Sequence, residues 1–342
     1  MTGNTNVWLN GVMGVVVGDA LGCPVQFESR REVAGHPVTG MRGYGTFNLP
    51  EGSWTDDSSL TLALLESIGR LSRIDLDDIM ENFMKWLYDG GFTPYGYSYD
   101  VGRGTMQAIG RYKRNRKAQK CGGEEEWNNG NGSLMRILPA CIYSSKKLRG
   151  GEFTERDAVL TVHAIGGLTH AHIRSNIACG LYFFMTDQVL NAEGSLRERL
   201  QAGLARGFEF YEAFLADKDN LRLYDRLQDL DAFAAVPVER IKSSGYVVDT
   251  LEAAVWSLIT TESFEQALLK AVNLGDDTDT VGAVTGGLAG LYYGYDRIPG
   301  EWLAAIKKRE WIEGLCEIAR CRRSQPGPAG RAGNLSKIKP EV

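Results

Sequence analysis

The sequence has few of the residues from which structural disulfides and zinc sites are built. Its 342 residues include six cysteines, which are widely scattered and form no Cys-x-x-Cys pair. This spacing argues against a disulfide framework or a cysteine zinc site, and it fits a reducing compartment. Because there are only four histidines, a metal site rich in imidazole is not expected either.

The N-terminus lacks a basic leader, and the apolar run over residues 12–17 is too short for a signal peptide or a membrane span. We therefore expect a cytoplasmic protein. The net charge of −5 gives no reason to expect nucleic acid or a membrane as partner. A negatively charged substrate would need local help from cations or helix N-termini. The sequence does not indicate the oligomeric state.

The sequence also lacks internal repeats and alternating β patterns of any length. Apolar residues instead recur at helical spacing, as they do over residues 60–68. We therefore predict an all-α fold. Its first helix is predicted over residues 7–17 and ends at Gly18. A glycine-rich connection over residues 18–24 and irregular structure as far as Pro50 are predicted to follow.

Residues 275–280 (GDDTDT) concentrate three carboxylates and two hydroxyls between two segments that both predict helix. The second segment, residues 281–294, is so rich in small residues that a neighbouring backbone could pack very close to it. A single aspartate here could simply cap that helix and complement its dipole, but one cap needs only one aspartate. Adjacent acids repel one another unless water or a cation separates them. The cluster therefore indicates a hard cation held by oxygen ligands.

A second acidic group opens a predicted helix at residues 52–58 (GSWTDDS). Capping by a single side chain would again satisfy the local pattern. If both groups face one point, Asp56, Asp57, Asp277 and Asp279 place four negative charges in a small volume. Such a cluster destabilises a fold unless cations fill it. Two divalent ions balance the charge, and all-oxygen ligation suits magnesium, manganese or calcium rather than zinc.

Two further motifs are weaker signals. Residues 129–133 (NGNGS) form a turn directly before a predicted helix at Leu134. Exposed amides in such a turn can receive a phosphate, although most glycine turns bind nothing. His170 and His172 lie in a loop between two predicted helices, where a histidine is more often a capping or core residue than a catalyst.

Taken together, six stretches resemble the ADP-ribosylglycohydrolase family, which includes the dinitrogenase reductase-activating glycohydrolases. In the family's order they are GDALGCP at 18–24, GSWTDDS at 52–58, NGNGSLMRILP at 129–139, LTHAHIRS at 168–175, SGYVVDTLEAAVW at 244–256 and GDDTDTVGAVTGGLAGLYYG at 275–294. The resemblance implies a compact, single-domain orthogonal bundle of helices over residues 1–322, with a central dinuclear metal site. Residues 323–342 have the proline, glycine and charge content of a disordered tail.

The resemblance also implies roles for individual residues. The expected ligands of two Mg²⁺ or Mn²⁺ ions are Thr55, Asp56, Asp57, Asp277, Asp279 and Thr280. The expected contacts with the substrate's diphosphate and adenosine are Gly130, Asn131, Gly132, Ser133, His170, Gly245, Tyr246 and Val247. Asp100 matches a family aspartate near the scissile bond. Asp276 stands where the family often has glycine, and it is expected outside the ligand set.

One departure from the family concerns Gln26, because the family usually has a glutamate there that contacts a metal and a catalytic water. A glutamine amide cannot accept a proton as a carboxylate does. Glu28 lies two positions further on, and in an extended segment it would point to the same side as Gln26. We hypothesise that Glu28 or a metal-bound hydroxide takes the catalytic role, with Asp100 as the next acid to test.

The resemblance predicts metal-dependent hydrolysis of an ADP-ribosyl glycosidic bond. This reaction passes through an oxocarbenium-like state at the ribose, and a dinuclear centre could grip the ribose diol and orient a water. The expected substrate is a modified protein side chain, with arginine the commonest in this branch, or a related ADP-ribose conjugate. The sequence does not determine the linkage, the protein target or the preferred metal.

Two other functions remain open. Gln26 motivates a catalytically weak or inactive member that binds ADP-ribose or serves structurally, although a pure scaffold gains nothing from four clustered acids. The aspartate-rich motif suggests an all-helical, magnesium-dependent prenyl-diphosphate enzyme. Such enzymes typically carry DDxxD within a helix that faces an apolar cavity, whereas both acidic groups here are predicted at helix starts.

Overall fold

A computed structural model describes residues 6–321, which form helices and no β-strand. The α-helices, numbered α1 to α16 in chain order, are Val7–Gly22, Arg30–Gly35, Asp56–Leu71, Leu76–Asp89, Arg103–Asn115, Leu138–Arg149, Glu155–Gly166, Ile173–Asn191, Leu196–Phe214, Asp219–Arg222, Leu230–Ala234, Val247–Ile259, Phe264–Val272, Thr278–Tyr293, Gly300–Ala305 and Arg309–Cys321. Short 3-10 helices connect several of them, at Cys23–Val25, Ala118–Lys120, Glu126–Asn128, Asn131–Arg136, Asp225–Gln228, Val238–Arg240 and Tyr295–Arg297. The prediction of an all-α fold is confirmed. The predicted tail, residues 323–342, lies outside the described residues.

Helices α1 and α14 are almost entirely buried, and their backbones are in contact. A Cβ atom built on Gly18 would lie 2.0 Å from the carbonyl oxygen of Gly282. Only glycine, which has no Cβ, permits so close an approach. The close packing expected for residues 281–294 is therefore present. The predicted helix end at Gly18 is wrong, because this glycine lies inside α1 at the contact, and the helix continues to Gly22.

This contact brings the end of α1 against the start of α14. A Cβ atom on Gly22 would lie 2.4 Å from the backbone nitrogen of Asp279. The Thr278 hydroxyl also donates a hydrogen bond of 2.8 Å to the Gly22 carbonyl. The start of α3 joins them, since the backbone N–H of Thr55 donates to the Asp19 carboxylate at 2.9 Å. Three helix ends therefore meet at one place in the interior.

The first helix also has the length and composition of a membrane span. Residues 7–25, which are α1 and the 3-10 helix that follows it, are long and apolar enough to cross a membrane. The apolar stretch is therefore longer than the run over 12–17 noted in the sequence. However, 89% of the apolar window is buried inside the protein. Because α14 and its other neighbours already cover this helix, its composition is that of a core helix.

The irregular segment predicted before Pro50 contains one short helix. Ser29 and Glu32 form a capping box in which the Ser29 backbone N–H donates to the Glu32 carboxylate at 2.7 Å. This pair starts α2 at Arg30, and the prediction of continuous irregular structure is wrong there. From residue 36 to Pro50 the chain is irregular, as predicted.

Candidate active site

The buried carboxylate of Asp19 holds the start of α3 against α1. It accepts hydrogen bonds from the backbone N–H groups of Thr55 and Ser58, at 2.9 and 3.0 Å, and from the Ser58 hydroxyl at 2.6 Å. Burial raises the pKa of Asp19 to about 7, against the lowering effect of these hydrogen bonds. The sequence analysis did not single out Asp19 as a site residue, although it lies within the GDALGCP stretch.

The two acidic segments meet, as the sequence predicted. The Thr55 hydroxyl donates to Asp279 at 3.3 Å and lies 3.4 Å from Asp57. On the other side, the Thr280 hydroxyl donates to Asp57 at 3.4 Å. Threonines from each segment therefore contact carboxylates of the other, although more than 200 residues separate them in sequence.

The meeting of these acids has a large electrostatic cost. Burial raises the pKa values of Asp56, Asp57 and Asp279 well above their usual range, and the neighbouring carboxylates raise them further. No ion pair within residues 6–321 includes any of these three acids. The Oδ1 atom of Asp57 is buried and has no hydrogen-bond partner. A hard cation would supply both the missing charge and the missing partner.

The carboxylates do not by themselves form a complete metal-binding set. Within the described part of the chain, no group of three or more His, Cys, Asp or Glu side chains is arranged to hold a metal ion. The hydroxyls of Thr55 and Thr280 lie between the carboxylates instead. The donors are all oxygen atoms, and their chemistry fits Mg²⁺ or Mn²⁺. The number and identity of the ions stay predictions.

A cavity of about 290 Å³ opens beside the acids. Asp56, Asp57, Asp277 and Thr280 line it on the side of the cluster. The predicted ligands Thr55 and Asp279 are buried behind this wall and do not line the cavity. A small ligand entering the cavity would therefore contact four of the six predicted ligand residues.

Gln26 and Asp100 form a second polar group in the cavity lining. The Gln26 amide donates a hydrogen bond of 2.9 Å to an Asp100 carboxylate oxygen. A glutamate at position 26 would set two carboxylates against each other at this distance, whereas the glutamine N–H holds Asp100 without repulsion. Burial raises the pKa of Asp100. We interpret Gln26 as the residue that positions Asp100 in the cavity.

Glu28 lies elsewhere, and the expectation that it shares a side with Gln26 is wrong. The segment is not extended, because Phe27 has a left-handed backbone with φ of 69°. Glu28 does not line the cavity. Its carboxylate lies 2.9 Å from the imidazole Nε2 of His36. This location does not support the catalytic role hypothesised for Glu28.

The two loops expected to bind diphosphate and adenosine pair with each other. The backbone N–H of Asn131 donates to the carbonyl of Gly245 at 3.0 Å. The backbone N–H of Val247 donates to the carbonyl of Asn129 at 3.1 Å. These two amides are therefore occupied within the protein. The Asn131 side chain also donates to Asp277 at 2.6 Å, which links this loop to the acids. Of the predicted substrate contacts, Gly130, Asn131, Gly132 and His170 line the cavity, whereas Ser133, Gly245, Tyr246 and Val247 do not.

The His170 ring lines the cavity and contacts the Thr169 hydroxyl. The buried Arg136 guanidinium donates to the Thr169 hydroxyl at 2.7 Å, and that hydroxyl lies 2.8 Å from Nδ1 of His170. Arginine only donates, so the Thr169 oxygen accepts from Arg136, and we interpret the contact with Nδ1 as a hydrogen bond that the Thr169 hydroxyl donates. Burial lowers the pKa of His170 to about 3, so the ring is neutral. The ring proton is then on Nε2.

Replacing Thr169 with valine is expected to remove the preference of the His170 ring for the tautomer that is protonated on Nε2. The variant removes the hydroxyl while keeping the branched shape, so Nδ1 of His170 loses its donor and Arg136 loses an acceptor. Nitrogen-15 NMR of the histidine ring should show Nε2 protonation in the wild type and both tautomers in Thr169→Val. Thr169→Ser, which keeps the hydroxyl, should behave as wild type. An unchanged Nε2 signal in Thr169→Val would show that another group fixes the ring.

Several cavity residues were not found from the sequence. The segment 102–105 lines the cavity, together with Phe27 and Trp127. Its glycines do leave room for a neighbouring ring, since a Cβ atom on Gly104 would lie 3.0 Å from Nε2 of His170. The glycine-rich sequence of this segment was the signal available, but glycine-rich loops without a binding role are too common for it to be specific.

The family model for ADP-ribosylglycohydrolases matches residues 8–328. The chain is 33% identical to the ADP-ribosylarginine hydrolase Tri1 of Serratia proteamaculans, over 90% of this chain and 76% of that protein. It is 31% identical to the ADP-ribosyl-[dinitrogen reductase] glycohydrolase of Rhodospirillum rubrum, over 87% and 89% of the two chains. A solved structure described as an ADP-ribosylglycohydrolase-related protein complex superposes with a TM-score of 0.69 at 31% identity, covering 92% of this chain and 96% of the other. These matches and the geometry of the site show that the chain belongs to the ADP-ribosylglycohydrolase family.

Proposed function

We propose that this protein hydrolyses the glycosidic bond of ADP-ribose conjugates and that it depends on two divalent cations, Mg²⁺ or Mn²⁺. The observation that carries the proposal is the meeting of the two acidic segments at the wall of one cavity. Asp56, Asp57 and Asp277 face that cavity, and Asp57 keeps an unpartnered buried oxygen. A buried acid cluster of this kind is unfavourable unless cations bind to it.

The proposed ligands of the ions are Thr55, Asp56, Asp57, Asp277, Asp279 and Thr280. When bound, such ions supply positive charge that binds the ribose hydroxyls and acidifies a water. Asp100 is placed to accept a proton from a water in the cavity, and the Gln26 amide fixes its orientation. His170 is placed to donate its Nε2–H to an oxygen of the ligand. Neither residue requires Glu28.

We also propose that the substrate is an ADP-ribosylated arginine on a protein and that the protein works in the cytoplasm. The similar proteins named for arginine or dinitrogen reductase support this substrate class. The six cysteines are free thiols, five of them buried. Free thiols fit the reducing compartment expected from the sequence.

A panel of ADP-ribose conjugates tests the proposal. Release of ADP-ribose from arginine-linked and serine-linked conjugates is measured with Mg²⁺ or Mn²⁺, with EDTA, and after the metal is restored. We expect cleavage of the arginine conjugate, its loss in EDTA and its recovery with metal. The second candidate, a binding protein without activity, is favoured by Gln26. Tight binding of ADP-ribose without turnover of any conjugate would select it.

Replacing Glu28 with glutamine is expected to leave hydrolysis within about twofold of wild type, because its carboxylate faces His36 outside the cavity. His36→Gln removes the other half of the same pair and should behave alike. Initial rates on the arginine conjugate measure both. A loss of 100-fold or more in Glu28→Gln alone would return Glu28 to the mechanism and contradict the placement described here.

A further inference from the structure

A row of aromatic rings runs over the protein surface away from the cavity. Phe27, Phe47, Tyr99, Tyr97 and Tyr95 follow one another with ring centroids 6.4, 5.5, 6.0 and 6.2 Å apart. We call these five residues the aromatic strip. Phe27 is 67% exposed and Tyr97 is 52% exposed, whereas Phe47, Tyr95 and Tyr99 are partly buried. Exposed aromatic rings that are joined through partly buried ones form the kind of apolar patch that interaction sites use.

The aromatic strip begins at the cavity itself. Phe27 lines the cavity and follows Gln26, and Tyr99 directly precedes Asp100. The hydrogen bond of 2.9 Å between Gln26 and Asp100 ties these two segments together where the strip starts. The strip therefore begins at a ring that a molecule bound in the cavity would contact.

Hydrogen bonds fix the strip to the segment that carries the acids. The Tyr95 hydroxyl lies 2.6 Å from the Ser53 hydroxyl, and the Tyr99 hydroxyl donates to the carbonyl of Trp54. Both partners come directly before Thr55 in the chain. The rings are consequently held in position relative to the acid cluster, and a partner would meet a preorganised surface.

Phe27 is exposed and has a backbone conformation that bulky residues rarely adopt. Its φ of 69° is left-handed, which is unfavourable for a bulky residue. The Phe27 N–H donates to the backbone carbonyl of Asp276 at 2.7 Å. The backbone N–H of Asp276, a residue that also has a positive φ of 61°, donates to the backbone carbonyl of Glu28 at 2.7 Å. Such strain persists where the surroundings enforce it, commonly at functional sites. The structure thus maintains an exposed ring at the cavity mouth.

We propose that the aromatic strip docks the extended protein segment that flanks the ADP-ribosylated arginine. Alternate side chains of an extended chain lie on one face at a repeat of roughly 6.6 Å, close to the spacing of the rings. Aromatic faces also bind the planar guanidinium of arginine. Phe27 lies in the lining of the cavity proposed to bind the ADP-ribosyl group, so the strip would meet the polypeptide attached to that group rather than a lipid or a nucleic acid. This inference rests on the proposed function.

The experiment compares two substrates on variants of the strip. Tyr97→Ala and the double variant Tyr97→Ala with Phe47→Ala remove rings that do not line the cavity. The substrates are free ADP-ribosylarginine and a protein ADP-ribosylated on one surface arginine. We expect KM for the protein to rise roughly tenfold in the double variant, with kcat retained and the free conjugate unaffected. Ile318→Ala on α16, where the side chain is 45% exposed, is the matched control and should change neither substrate.

Each of the remaining outcomes either supports or overturns docking on the strip. An unchanged KM for the protein, or an equal loss on both substrates, would overturn docking on the strip. If the wild type cleaves neither substrate, the proposed function is wrong, and the strip is then judged by binding of the intact ADP-ribosylated protein. In that case a roughly tenfold weaker Kd in the double variant, with ADP-ribose binding unchanged, supports docking. An unchanged Kd, or a change caused equally by Ile318→Ala, refutes it.

Discussion

Replacing Asp57 with asparagine is expected to lower the rate of ADP-ribosylarginine hydrolysis by at least about 100-fold while the chain stays folded. The Oδ2 atom of Asp57 accepts a hydrogen bond from the Thr280 hydroxyl and lies 3.4 Å from the Thr55 hydroxyl, and its Oδ1 has no partner. Asparagine keeps the size of the side chain but removes the charge that would hold a divalent cation. The measurement is the initial rate of ADP-ribose release at saturating Mn²⁺.

The same substitution should raise the melting temperature of the metal-free protein at pH 7. Burial raises the pKa of Asp57, and the nearby Asp19 raises it further, so the charged form is unfavourable in the fold. Asparagine removes that cost. Asp296→Asn, at an exposed carboxylate, is the control and should change neither activity nor stability. Full activity in Asp57→Asn, or a lower metal-free melting temperature, would contradict the electrostatic account of the cluster.

Replacing Gly18 with alanine is expected to reduce the free energy of unfolding by at least about 3 kcal/mol. The new Cβ would lie 2.0 Å from the carbonyl oxygen of Gly282 and 2.4 Å from its carbon, which are backbone atoms of α14. Helices α1 and α14 would have to separate, because neither backbone can move aside locally. Denaturant unfolding of the purified variant measures the loss.

Hydrolysis should fall along with stability in Gly18→Ala. Asp19 is the next residue on α1, and it holds Thr55 at the start of α3. The control is Gly314→Ala in α16, where an added Cβ meets nothing within 4 Å. There alanine should stabilise the chain by about 0.5–1 kcal/mol, since glycine is unfavourable inside a helix. Similar effects at both positions would show that helix propensity, and not close packing, determines the role of Gly18.

The helical character of the chain was readable from the sequence because apolar spacing is a local signal. The length of α1 was not, since Gly18 and Gly22 have the composition of a helix end but serve a contact with residues more than 250 positions away. Helix α2 was missed although its capping box, Ser29 with Glu32, is visible in the sequence. Close packing between distant segments leaves only an ambiguous trace in either segment alone.

The acids of the site were predictable because an excess of carboxylates over capping needs is itself a physical signal. The surroundings of those acids were not. Asp19 is one acid without a neighbouring acid in sequence, and its role depends on how α3 packs. The misplacement of Glu28 came from assuming an extended segment, whereas the left-handed Phe27 turns the chain. Backbone strain imposed by a distant loop leaves no local sequence pattern.

The most direct test is the amount of Mn²⁺ bound per chain after equilibrium dialysis, measured on the wild type and on Asp57→Asn. We expect two ions per wild-type chain, and fewer ions with weaker affinity in the variant. No bound manganese in the wild type, or the same stoichiometry and affinity in both proteins, would contradict the claim that the meeting acids hold the cations required for hydrolysis.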